Sequence, residues 1–289
     1  MKTALITPAY HRDAGLLDMA CAQVDRFCPG LDHIIVASRQ KRHIFAHLES
    51  GNRRIVQIED VIRPLTWRAP VHYRKRELYF TRAVRPVDGW VMQQIVKLAA
   101  PDFTDAELLL NLDSDVFFVR PFKPGDFVEE GRVRLLRKPP SLAGFQRDWH
   151  QRAQTLFGLP PGTQPDYVGS LIAWRRDVCL DLRDRLASQG GKPWLDVLTR
   201  EKNFSEYTLY GTFVERVLGG APDRQFVSDR ELCLNSWDWR QEGNLAAACV
   251  SALRPHHVAI NLQSNLRLPL EQTREILAAV TRRTGSQTA

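Results

Sequence analysis

Short apolar runs alternate with amphipathic stretches along the first third of the chain, the patterning of an α/β protein. Residues 4–7 predict a strand, 16–27 an amphipathic helix stopped at Cys28-Pro29-Gly30, and 33–37 a second strand. A short helix over 41–48 and a third strand over 54–58 follow. Residues 89–100 have helical spacing and stop at Pro101, and 107–112 form an apolar strand. Strands are expected later over 132–137, 167–174 and 257–262. Helices are expected over 148–157, 177–188 (ended by Gly190-Gly191), 205–218 (Ser205 as N-cap) and 269–282. No internal repeat or linker interrupts the order, so residues 1–289 are expected to form one domain. A mostly parallel sheet flanked by helices gathers its ligands at the carboxyl ends of the strands.

One of those ends carries chemistry. The strand over 107–112 runs into Asp113-Ser114-Asp115 and returns to Val116-Phe117-Phe118. Two carboxylates one residue apart repel each other. A divalent cation between them removes the repulsion and can in turn hold a diphosphate. A capped turn with two solvated carboxylates is the bland alternative; the apolar strand before and the apolar-aromatic run after favour the cation.

Composition is ordinary for a globular chain, with 44% hydrophobic and 25% charged residues. The five cysteines are scattered and form no Cys-x-x-Cys pair, so reduced thiols are expected rather than disulfides or structural zinc. The first residues read as a strand rather than a secretion signal, and no apolar stretch is long enough to span a bilayer. A cytoplasmic protein is expected, at the inner face of the membrane if the basic segment described next touches lipid.

The net charge of +7 favours anionic partners. Much of it is local: Arg63, Arg68, Arg74, Lys75, Arg76, Arg82 and Arg85 face one acid, Glu77, with Trp67, Tyr73, Tyr79 and Phe80 interleaved. The segment is either a solvated face or a contact surface for phosphates or an anionic membrane. No nucleic-acid motif accompanies it, so no specific nucleic-acid partner is expected.

Taken in order, these features resemble glycosyltransferases of the GT-A fold, and the bacterial DUF6492-like group in particular. Three stretches carry the resemblance: Gly89-Trp90-Val91-Met92-Gln93-Gln94-Ile95-Val96-Lys97-Leu98, Leu112-Asp113-Ser114-Asp115-Val116-Phe117-Phe118, and Ser205-Glu206-Tyr207-Thr208-Leu209-Tyr210-Gly211. With the first strand and the strand over 167–174, the likeness covers nearly the whole chain.

The resemblance implies a GT-A-like α/β fold and a metal-dependent glycosyltransferase. A nucleotide-sugar donor, UDP-linked, would give its sugar to a hydroxyl of a glycan or lipid-linked glycan. Mn²⁺ or Mg²⁺ would be held by Asp113 and Asp115, with His257 completing the shell. Thr7, Pro8, Ala9 and Tyr10 would lie under the nucleotide base; Gln94, Lys97, Ser114 and Gly169 would contact the donor; Glu206 would take the acceptor's proton.

The residues themselves leave several of these roles open. Tyr10 suits a base stack or ordinary packing. Gln93 and Lys97 are four apart and share a helix face, so Lys97 meets either phosphate or solvent. Gly169 permits close backbone approach to a sugar or a simple strand bend. Glu206 at a helix start is as good a dipole partner as a base. Alternation puts His257, Ala259, Asn261 and Gln263 on one strand face, which makes His257 the better ligand of the pair His256-His257. Two other readings stand beside this one: a haloacid-dehalogenase-like phosphatase, whose Asp-x-Asp usually follows the first core strand, and a non-catalytic nucleotide-sugar or glycan-binding protein.

Overall fold

The computed structural model describes residues 1–62, 68–73, 76–80, 86–141, 144–236 and 243–285, with the backbone alone over 68–73 and 76–77. Its strands are β1 (Thr3–Pro8), β2 (Asp32–Ala37), β3 (Arg53–Gln57), β4 (Arg68–Tyr73), β5 (Arg76–Phe80), β6 (Val87–Asp88), β7 (Leu108–Leu112), β8 (Val116–Phe118), β9 (Val128–Glu129), β10 (Arg132–Leu136), β11 (Leu171–Arg175), β12 (Gln225–Ser228), β13 (Cys233–Asn235) and β14 (Ala259–Asn261). The helices are α1 (Ala14–Phe27), α2 (Arg42–Phe45), α3 (Ile58–Val61), α4 (Gly89–Leu98), α5 (Gly144–Phe157), α6 (Arg176–Gly190), α7 (Trp194–Leu198), α8 (Glu206–Thr212), α9 (Leu245–Ala252) and α10 (Leu270–Gly285).

The central sheet has the order β11-β7-β1-β2-β3. Strands β7, β1, β2 and β3 run parallel, and β11 lies antiparallel against β7. The central strands β1 and β7 are buried along their whole length, with apolar side chains on both faces. Ala4, Ile6 and Leu109 pack into the cluster on one side; Leu5, Leu108, Leu110 and Leu112 pack with Val24 of α1 on the other. Burying each of these leucines contributes about 1.5–3 kcal/mol. The chain runs outward from β1 to β3 and then crosses to β7 on the other side of β1. That reversal opens a crevice at the carboxyl ends of β1 and β7, where the pairing Ile6↔Asn111 carries Pro8 and Asp113 alongside each other.

The mixed α/β architecture with a mostly parallel sheet is the one expected. Several boundaries differ for identifiable reasons. The strand expected over 167–174 begins at Leu171, because Val168 N–H donates to Asp166 Oδ1 at 2.9 Å and Asp166 bridges Lys138, holding 166–168 in a turn. The helix expected over 205–218 is α8, capped by Ser205 Oγ accepting from Thr208 N, followed by a π turn over Phe213–Val217. Small sheets β12-β10-β9, β13-β14-β8 and β4-β5-β6 complete the frame. The basic side chains from Arg63 to Arg85 lie outside the described residues.

A buried polar chain ties β1, β2 and β3 together. Arg53 Nε donates to His33 Nδ1 at 3.0 Å, so His33 Nε2–H donates to Thr7 Oγ1 at 2.9 Å. Burial, and then Arg53, pushes the His33 pKa down from 6.5 to about 3. The folded value lies below the unfolded one, so the unfolded chain takes the proton first. This contribution to stability is complete above about pH 6.5 and is lost as pH falls towards 3. Urea midpoints measured across that window should fall, and His33→Gln should flatten the fall; an unchanged slope in the variant would remove His33 from the acid response.

Candidate active site

The crevice at the strand ends opens into a cavity of about 830 Å³. Asp113, Ser114, Asp115, Lys97, Gln94, Glu206, Pro8 and Gly169 all line it, although they come from positions 8 to 206. A second cavity of about 290 Å³ is lined by Pro8, Ala9, Tyr10, Tyr79 and Asp88. Pro8, Asp13, Trp90, Gln93 and Ser264 border both, so the two form one cleft.

At its floor lies a buried ion cluster. Asp88 caps α4 by accepting from Trp90 N, and the helix carries Lys97 into the interior, 4% exposed. Lys97 Nζ donates to Asp113 Oδ1 at 2.8 Å, Glu206 Oε1 at 2.9 Å and the Tyr207 hydroxyl at 2.8 Å. Burial alone would lower the ammonium's pKa; Asp113 and Glu206 outweigh it and hold it well above the usual lysine range. Gln94 Oε1 accepts from Glu206 N at 3.1 Å, so α4 fixes both the backbone and the carboxylate at the start of α8.

Asp115 sits differently. Its Oδ1 accepts from Asn261 Nδ2 at 2.7 Å and its Oδ2 from Ser264 N at 2.8 Å. Burial, then the neighbouring Asp113 carboxylate, raises its pKa to about 7. Asn261 Oδ1 is buried beside it with no hydrogen-bond partner. Asp13, raised by burial against a hydrogen bond with Ser114, adds another carboxylate to the same wall.

Two sequence expectations change here. Thr7 is fully buried with its hydroxyl on His33, so it faces into the sheet and away from the cleft. His257 is not brought to the Asp pair. β14 meets β8 with Asn261 opposite Val116 and Ala259 opposite Phe118, which leaves His257 before the strand begins, in a turn closed by its N–H on Arg254 O. Its Nδ1 accepts from Arg254 N, and its pKa is pushed down to about 4 by burial and then by His256. Gly169 borders the cleft as expected, and a Cβ there would meet the terminal methyls of Ile172 and Leu136 at 2.9 Å. Asp13, Asn261 and Ser264 are the site residues the sequence did not single out. Asn261 falls on the strand face that alternation had assigned to the site, which was the available signal.

This sheet order, with the crevice at its switch point, is the GT-A type of fold. An active-site mutant of LgtC is similar to it at 12% identity and TM-score 0.51, over 96% of this chain and 95% of that chain. Galactosyltransferase LgtC with donor and acceptor sugar analogs gives 14% identity and TM-score 0.49 over 96% of each chain. Mouse xyloside xylosyltransferase 1 in its apo form gives 12% and 0.49 over 92% of this chain and 99% of that chain. The chain belongs to the family of unknown function DUF6492, whose family model matches residues 30–235. No curated protein matches it significantly. No helix among the described residues is long and apolar enough to cross a membrane.

Proposed function

We propose that the protein is a metal-dependent glycosyltransferase that takes a sugar from a nucleotide-linked donor, UDP-linked, and passes it to a hydroxyl of a glycan or lipid-linked glycan. The observation that carries this reading is the convergence of Asp113, Asp115, Lys97 and Glu206 on one large cleft at the strand ends of a GT-A-like sheet.

Asp113 and Asp115 would hold Mn²⁺ or Mg²⁺. The donor set fits a hard cation: two carboxylates, one of which resists ionising beside the other, and an unpartnered amide oxygen on Asn261. Asp13, on the same wall, would add a further carboxylate near the ion. When bound, the ion neutralises the departing diphosphate.

The chain's own residues supply the rest. The smaller cavity offers Tyr10 and Tyr79 to a nucleotide base. Lys97 holds Asp113 and Glu206 in fixed positions and sets a positive charge below the reacting centre. The acceptor oxygen attacks the anomeric carbon, the bond to the phosphate oxygen breaks, and the hydroxyl proton passes to Glu206 if the anomeric centre inverts.

UDP should therefore bind measurably with Mn²⁺ and lose at least about tenfold in affinity with EDTA, by titration calorimetry. Asp115→Ala should lose the metal-dependent part while its circular dichroism stays native. Equal affinity in Mn²⁺ and EDTA would reject the metal bridge.

A further inference from the structure

The outer lip of the large cleft is aromatic. Helix α5 places Phe145 and Trp149 four residues apart on one face, with ring centroids 5.0 Å apart. Trp90 of α4 lies across from them, stacked on Trp149 at 6.0 Å with an interplanar angle of 25°. All three line the cavity that holds the Asp pair. Phe145 is 56% exposed and Trp90 44% exposed, a costly arrangement for large apolar rings unless something covers them. The Trp149 indole is locked, since its Nε1–H donates to Asn203 Oδ1 at 2.7 Å.

Polar groups stand just inside the lip. Gln146, one residue along α5 from Phe145, lines the same cavity; its Nε2 faces Asp166 and its buried Oε1 has no partner. Gln93 and Gln94 face it from α4. The lip thus joins an aromatic face to a polar wall on which the buried Gln146 Oε1 is still without a partner. A pyranose ring has the matching two-sided character, with a C–H face that packs on aromatic rings and a rim of hydroxyls. A nucleobase has a place in the smaller cavity, whose lining includes Tyr10 and Tyr79 but neither Phe145 nor Trp149; of the three lip rings Trp90 alone borders both cavities.

Resting on the glycosyltransferase reading, we propose that Phe145, Trp149 and Trp90 form the acceptor subsite and that the acceptor's terminal unit is a pyranose stacked by its C–H face on this lip. The acceptor is then recognised through a sugar ring, and an acceptor lacking a ring next to its reactive hydroxyl is disfavoured.

Saturation-transfer NMR tests this with methyl glucoside, galactoside and mannoside in both anomers, and with lactose, maltose and cellobiose, each with and without UDP and Mn²⁺. At least one sugar should take up saturation mainly on the C–H protons of one ring face. Phe145→Ala and Trp149→Ala should each weaken that signal by about fivefold, and Trp149→Phe should recover part of it. Phe145 is an exposed side chain, so its variant keeps the test valid if Trp149→Ala fails to fold. Signals equal in wild type and Phe145→Ala, or no saturated sugar in the panel, would overturn the proposal. A fall in UDP affinity with sugar binding intact would also overturn it, by making the lip a base platform. Failure of the glycosyltransferase reading would show separately, as absence of UDP binding in the same samples.

Discussion

Exchanging Glu206 for glutamine is expected to cut single-turnover sugar transfer by about 10²–10⁴-fold and to leave UDP affinity close to that of the wild type. Glutamine keeps the size and an oxygen that can accept from Lys97, so the cluster at the cleft floor stays assembled. Only the capacity to take a proton is lost. Near-normal turnover would reduce Glu206 to a helix-start residue that positions Lys97. A product with retained anomeric configuration would also remove the simple base role, because retention needs a different path from one in-line displacement.

Removing the cation is expected to act on the fold. Lys97→Met should lower stability by about 3–5 kcal/mol in urea unfolding, since a buried carboxylate left without its counter-charge is expensive. Most of that loss belongs to Glu206, whose side chain is 6% exposed; Asp113, at 43%, can turn to water. The double variant Lys97→Met, Glu206→Gln should therefore recover a large part of the stability. A single-variant loss within about 0.5 kcal/mol, the range of ordinary surface changes, would mean the cluster is held by its surroundings and not by its charges.

The features legible in the sequence are those encoded over a few residues. The apolar run into Asp113-Ser114-Asp115 marks β7 and its exposed end. The Ser205 cap marks the start of α8, and the Gln93/Lys97 spacing marks one face of the helix that precedes β7. Features that depend on pairing distant segments were not legible. β8 and β13 have three residues each, too few for periodicity to declare, and they build the site's outer wall only by pairing with β14, the late strand that was expected. Alternation told which face of the late strand would meet the Asp pair, but not which height along it, and so pointed to His257 where Asn261 stands. The same limit applies to Thr7. It is the right distance along β1 but turns to the face of Leu5, where His33 takes its hydroxyl. Lys97 and Glu206, 109 positions apart, were each legible as candidates, whereas their partnership was not.

The clamp on Asp115 has a bearing on when the molecule becomes competent. Ser264 N and Asp115 are 149 positions apart in the chain, whereas the strands that build the crevice are complete by Leu112. At about 5–20 residues per second, a ribosome takes roughly 7–30 s to travel from one to the other. Throughout that interval the emerging polypeptide can pair β1, β2, β3 and β7 while its carboxylate turn still lacks the outer wall. Completion of the cleft thus waits on Ser264, long after the parallel strands have been made.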